Sequence, residues 1–519
     1  MPRFLLAIDA GTGSARAVLF DTDGTQVATA AEEWTHLSDP RYPGAMGFDV
    51  DRNWALVARC IQGVLAQAQA NADDVAAVSA SSMREGIVLY DADDREVWAC
   101  ANVDARASDE VRFLQENHAQ LERDYYRLSG QTFALSAIPR LLWVKRHEPA
   151  IFARVRRLSM LNDWVLFRLS GEIASDPSNA CTTGIFSLAK RDWAPDGLSA
   201  IGLPTDIFPP VVEPGTLMGR VSAAAARDTG LRPGTPVVMG GGDVQIGCVG
   251  LGVVQPGQAA VIGGTFWQQE VNLAEPRTDP DMNIRVNCHA IPGQWQAEAI
   301  VFFAGAAMRW FRDAFCDSEK REALARGCDA YTILEELAGA VPAGAGGVLA
   351  ILSDTMRYSA WYHAAPSLLN LSLDPACNRA TIFRALEENA AIVTAENLRL
   401  IERFAGAATG RLVFAGGGSK GRLWSQIVAN VTGKAIRIPV VKEATALGTA
   451  IAAGTAIGEY ASLAQGAAAL VKWEREHEPD PEFHSIYSEV AARWRTAYQA
   501  QRDLVDGGVT TALWKAPGL

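Results

Sequence analysis

Short apolar runs, each cut off by glycine or by a cluster of small polar residues, alternate along this chain with longer amphipathic stretches. The first run, residues 5–8, stops at Asp9; the turn Ala10-Gly11-Thr12-Gly13-Ser14 follows, and residues 15–20 are apolar again. A third run, residues 26–34, comes after Asp21-Thr22-Asp23-Gly24. This spacing predicts three neighbouring strands joined by tight turns. Residues 53–69 carry apolar side chains at helical spacing and predict an amphipathic helix. Residues 75–81 predict a buried strand that leads into Ser82-Met83-Arg84-Glu85-Gly86. Strands alternating with helices in this way predict an α/β fold.

The middle of the chain repeats the opening in outline. Residues 236–239 predict a short buried strand running into Gly240-Gly241-Gly242-Asp243. After the turn formers of residues 252–256 comes AAVIGGTFWQQEVNL, again apolar strand, Gly-Thr turn and strand. Two such units predict two duplicated domains facing a shared cleft, residues 1–253 and 254–519, divided where turn formers cluster. Further on, residues 412–415 form an apolar run before Gly416-Gly417-Gly418-Ser419-Lys420-Gly421, and residues 422–431 predict a helix. Residues 481–503 predict a C-terminal amphipathic helix containing Tyr487, Trp494 and Tyr498.

Composition narrows the classes. The chain has 519 residues, too many for one ordinary domain, and 49% are hydrophobic, enough for sizeable cores. A formal net charge of -12 argues against nucleic acid or an anionic membrane as main partner. No pair among the 8 cysteines has C-x-x-C spacing, so neither a zinc site nor a disulfide framework is expected, and a reduced, cytoplasmic setting fits best. The apolar opening is too short for a signal peptide core, and no run is long enough to span a membrane.

Four places could carry chemistry. At the first corner, small residues let backbone N–H groups approach an anion, and Asp9 at the strand end could hold Mg²⁺ beside phosphate oxygens; the alternative is a hairpin whose glycines serve only the turn. Asp243 follows three glycines at a helix start, where it could take a proton from a hydroxyl nucleophile; the alternative is a structural N-cap. Arg84 and Glu85 follow a buried strand, where α/β proteins bind ligands, and could hydrogen-bond a small polar substrate. Asn102, Asp104 and Arg106 form a second polar cluster that also reads as a solvated loop. Last, residues 416–421 match G-x-G-x-x-G with Glu443 beyond the next apolar run, so a nicotinamide dinucleotide site competes with an adenosine site at the helix N-terminus and with plain helix–strand packing.

Taken together and in order, DAGTGSARAV, SMREG, GGGDVQ, GGTFWQ, AGGGSKGRLWSQ and KEATALGTAIAAG resemble the FGGY family of carbohydrate kinases. The resemblance covers nearly the whole chain. The stretches ACANVDARA, GQTFALSAIPRLLW, DPSNACTTG, YHAAPSLLNLS and FRALEENAAIV resemble one particular member. The resemblance implies two actin-like, ribonuclease-H-fold domains with an interdomain cleft, and an ATP-dependent kinase acting on the primary hydroxyl of a small carbohydrate-like molecule. It implies Asp243 as catalytic base and Asp9 as the Mg²⁺ ligand. Thr12, Gly13, Ser14 and Arg16 match the first phosphate loop, Gly264 and Thr265 the second, Gly305 and Arg309 further nucleotide contacts, and Gly417 and Gly421 the adenosine loop. Arg84, Glu85 and Gln245 match substrate contacts, and Asn102 with Asp104 is expected beside them. Asn102 stands where glycerol kinase has a tryptophan, so a more polar substrate wall is implied. A pentulose kinase and a non-catalytic actin-like ATPase switch remain rivals, and a homodimer is compatible with the chain.

Overall fold

The protein is described by a computed structural model covering residues 3–352, 355, 358 and 361–519. Two large mixed sheets carry the fold. In the first, Phe4–Ala10 pairs antiparallel with Ser14–Asp21 and parallel with Val75–Ser82. Gln26–Glu33 extends one edge, and Pro236–Gly242 and Leu217–Arg220 extend the other. The Val50–Ala68 helix lies against this sheet through Trp54, Val57, Ile61 and Val64. Its start is fixed by Asp49, whose carboxylate accepts from the Arg52 backbone N–H at 3.0 Å.

The second sheet repeats that plan. Ala259–Gly263 pairs antiparallel with Trp267–Leu273 and parallel with Leu412–Gly416. Trp295–Val301 and Arg285–Cys288 continue one side, and Ile436–Pro439 with Trp473–His477 the other. The expected duplication is therefore present as architecture. A smaller sheet of five strands, among them Ile87–Tyr90 and Glu96–Cys100, hangs on the first lobe and was not foreseen. The C-terminal helix runs Pro481–Asp506, with Tyr487, Trp494 and Tyr498 buried as its periodicity implies.

The lobes are interleaved rather than simply consecutive. The Ala444–Ala456 helix, late in the sequence, packs onto the first sheet: Ala446, Leu447, Ala450 and Ile451 share one buried cluster with Leu5, Ala7, Val18, Ile246 and Val249. Each large aliphatic buried there contributes about 1.5–3 kcal/mol. This helix crosses the Asp243–Gly250 helix backbone against backbone. A Cβ on Gly250 would lie 1.9 Å from the Ala444 carbonyl oxygen, and one on Gly448 would lie 1.9 Å from that of Ile246. Only glycine fits at such a crossing. All eight cysteines are free. Among the described residues, no helix is long and apolar enough to cross a membrane.

Candidate active site

Asp9 sits at the end of the central strand of the first sheet, opposite Arg16 in the hairpin register. The Ser81 hydroxyl donates to its Oδ1 at 3.0 Å. Burial pushes the carboxyl up to about 6, with Ser81 and Arg16 pulling the other way. The turn after it is closed by the Gly11 N–H donating to the Ser14 carbonyl at 2.9 Å. The Asn102 amide donates to the Thr12 hydroxyl at 3.0 Å, which brings the second polar cluster to the first corner. Arg16 is paired with Glu443 across the lobes. The acidic residue on which the dinucleotide reading depended is thus spent on an arginine.

Asp243 is the first residue of its helix, and the cap position belongs to Gly242. Its Oδ1 accepts from the Val244 N–H at 2.8 Å. A third of its side chain is open to the cleft. Burial lifts its carboxyl to about 7 against the pull of Arg84, and the charges of Asp9 and Glu85 add to the rise. That is the range a general base needs near neutral pH. The glycines before it are a steric requirement: a Cβ on Gly240 would lie 1.9 Å from the Ala80 carbonyl oxygen of the neighbouring strand.

Arg84 and Glu85 lie just past the Val75–Ser82 strand. The Arg84 Nε stands 3.8 Å from Asp243 Oδ1. Its two terminal nitrogens go to Glu298, and the Glu85 carboxylate takes Arg285. Glu85 has φ 62°, a left-handed conformation unusual for glutamate. It is held there by the Thr182 hydroxyl, which accepts from its N–H at 3.3 Å, and by Arg140, which donates to its carbonyl. Gln245 is fully buried with neither side-chain polar atom engaged by protein. Such a group is expensive to leave unmet, which suits a site that receives a polar ligand. Asp104 is different: its carboxylate is committed to Arg106 at 2.7 Å and to the Met46 N–H at 2.7 Å, so its observed work is to hold a loop.

Gly264, Thr265, Gly305, Arg309, Gly417 and Gly421, far apart in sequence, line one cavity of about 1010 Å³ in the second lobe. The Gly305 N–H donates to the Thr265 carbonyl at 3.1 Å, and an Arg309 terminal nitrogen lies 3.4 Å from the Thr265 hydroxyl. A Cβ on Gly421 would fall 1.8 Å from a Glu335 carboxylate oxygen, so a side chain there would push that carboxylate aside. Glu335 accepts from the Trp424 N–H at 3.3 Å, at the start of the Arg422–Thr432 helix. Glycines form part of the cavity wall and charged and aromatic side chains such as Arg309, Lys420, Tyr331 and Trp424 the rest, and its volume suits a nucleotide.

Sequence reasoning missed Glu298, Arg285 and Glu335. Burial opposes its ionisation, yet Arg84 and Arg285 hold the Glu298 carboxyl below the usual range, at about 2. Glu298 was detectable in principle, as one carboxylate inside the apolar stretch of residues 297–304.

The family models that match are the FGGY family of carbohydrate kinases, N-terminal domain, over residues 4–250, and the C-terminal domain over residues 270–457. Curated autoinducer-2 kinases of Salmonella paratyphi B (strain ATCC BAA-1250 / SPB7) and Escherichia coli (strain K12) are each 58% identical over 518 residues, 99% of this chain and 98% of theirs. Among solved structures, the xylulose kinase of Rhodospirillum rubrum superposes with a TM-score of 0.85 at 25% identity, covering 97% of this chain and 99% of its own.

Proposed function

Because this chain belongs to the FGGY family of carbohydrate kinases, we propose that it transfers the γ-phosphoryl group of ATP to the terminal primary hydroxyl of autoinducer-2, in its open-chain form 4,5-dihydroxy-2,3-pentanedione, releasing ADP. The observation that carries this reading is the 58% identity to curated autoinducer-2 kinases over 99% of the chain. The site chemistry agrees with it.

ATP lies with its base and ribose in the glycine-lined cavity of the second lobe and its phosphates toward the Gly264–Thr265 turn. The acceptor lies by Arg84, Glu85, Asn102 and Gln245. Asp243 takes the proton of the terminal hydroxyl as that oxygen bonds to the γ-phosphorus and the bond to the ADP oxygen breaks. The turns at Thr12–Ser14 and Gly264–Thr265 aim backbone N–H groups at the transferring group. Asp9 fits a Mg²⁺ ion: it is a carboxylate raised by burial and answered in the protein by one hydroxyl, and a hard cation wants one or two such carboxylates plus phosphate oxygens. When bound, the metal supplies charge neutralisation on the phosphates. Closure of the cleft excludes water and limits ATP hydrolysis. We place the enzyme in the cytoplasm, where its nucleotide is found.

A panel assay tests the reading: phosphoryl transfer from ATP to autoinducer-2, xylulose and glycerol. Transfer to autoinducer-2 with kcat/KM well above that for xylulose is expected. Preference for xylulose would make this a pentulose kinase, and ATP turnover indifferent to every acceptor would make it an ATPase switch.

A further inference from the structure

Arg84 and Glu85 belong to the first lobe, yet both spend their charge on the second. The Arg84 Nη2 donates to Glu298 Oε1 at 3.0 Å, and Nη1 donates to Oε2. Glu85 takes the Arg285 guanidinium, which also reaches Glu298 Oε1 at 3.3 Å. Arg285 and Glu298 face each other in register on adjacent strands of the second sheet. All four side chains are at least nine-tenths buried. Arg84 is therefore gripped on one side by Glu298 while its Nε faces Asp243 across 3.8 Å.

We propose that Glu298 is a positioning residue: by gripping both terminal nitrogens of Arg84 from the second lobe, it keeps that arginine from closing onto Asp243 and turns its remaining N–H groups toward the acceptor. The proposal rests on the kinase reading above. A two-pronged pair of this kind fixes the plane of the guanidinium, which a single contact does not. The surroundings are built for it. Asn287 donates to Glu298 Oε2 at 3.0 Å, and the Arg285 Nε donates to Gln131 at 2.8 Å. Glu270 lies opposite Glu298 on the neighbouring strand. Burial and the charge of Glu298 push the Glu270 carboxyl well above the usual carboxylate range. Glu298 and Glu85 thus take Arg84 and Arg285 respectively. Without the two-pronged grip of Glu298, Arg84 is free to swing onto Asp243, whose Oδ1 already stands 3.8 Å from its Nε. An arginine bound to Asp243 occupies the oxygens that must take the proton. Because Arg84 and Asp243 come from one lobe and Glu298 from the other, the working arrangement exists only while the lobes are together.

The experiment is a double-mutant cycle on kinetics, with Glu298→Gln, Arg84→Gln and both together. Glu298→Gln is expected to lower kcat/KM for the acceptor by about a hundredfold, most of it in kcat, while KM for ATP stays within about twofold. Added to Arg84→Gln, it should cost less than about threefold more, because its effect runs through Arg84. Arg84→Lys should match Arg84→Gln, since a point charge does not make the two-pronged pair; this variant decides the matter if Glu298→Gln does not fold. Additive losses in the cycle would overturn the proposal, as would equal rises in KM for ATP and acceptor, or an Arg84→Lys enzyme as active as the wild type. A wild-type enzyme that transfers phosphoryl to no acceptor would instead overturn the kinase reading and this proposal with it.

Discussion

The two strand–turn–strand corners are alike in sequence and unlike in what they offer. At the first, Asp9 stands one residue before Ala10-Gly11-Thr12 and faces Arg16 across the hairpin. At the second, the matching place before Gly263-Gly264-Thr265 is Ile262, facing Gln268. Around the first corner gather Asp243, Arg84, Glu85 and the Arg16–Glu443 pair. Around the second are glycines packed against main chain: a Cβ on Gly305 would lie 2.2 Å from the Gly264 carbonyl oxygen. One plan has therefore diverged into two kinds of recognition. The first lobe works through side-chain charge and its altered proton affinities. The second corner offers no carboxylate at the matching place and closes on glycine and main chain, with its charged side chains set further along the cavity wall.

That contrast implies a ranking of damage. Asp243→Asn removes the proton acceptor and keeps the shape, so single-turnover transfer with both substrates saturating should fall by about 10²–10⁴-fold, with the melting temperature held. Near-native transfer would mean that the first lobe does not act through that charge. Asp9→Asn should come next, losing about 10²–10³-fold, the range for removing one preorganised group from a developing charge. Part of that loss should return at high Mg²⁺, which a titration of rate against metal would detect.

Gly305→Ala tests the other side. Its methyl meets main chain, so something must shift, at about 1–3 kcal/mol. ATP affinity measured by calorimetry should drop about tenfold or somewhat more, and acceptor affinity should stay near wild type. Equal losses for both ligands would erase the distinction between the corners. The mildest effect is that of pH. With Asp243 raised to about 7 in the free protein, kcat/KM should climb as pH rises through 7, by roughly tenfold between pH 6 and pH 8. Stability has the opposite slope. The folded pKa lies above the unfolded one, so the native state binds more protons between about pH 4 and 7, and ligand-free stability should fall with rising pH across that window. Asp243→Asn should flatten the rate curve and make the stability curve shallower, leaving the share of Asp9, readable from paired rate and melting profiles.

Much of this was written locally in the chain. The turns at residues 10–14 and 263–265, the glycines before Asp243 and the strand–glycine–helix unit at 412–431 all announce themselves through short-range rules of turn and helix start. Glu298 and Arg285 did not, because their meaning lies in partners 214 and 200 positions away. Asp104 misled for the same reason: its residue type suits a ligand site, but Arg106 and the Met46 N–H already claim it. The return of the Ala444–Ala456 helix to the first sheet was also hidden, since an apolar helix does not say which sheet it covers.

That helix and its partner touch through bare backbone at Gly250 and Gly448. Ordinary helix pairs lock like gear teeth, ridge into groove, and resist turning. Here the teeth are missing at the point of contact. The crossing brings main chain against main chain, closer than any side chain would allow. A methyl group at either glycine would wedge the two helices apart and disturb the seat of the helix that begins at Asp243, although every group that handles phosphate kept its own chemistry.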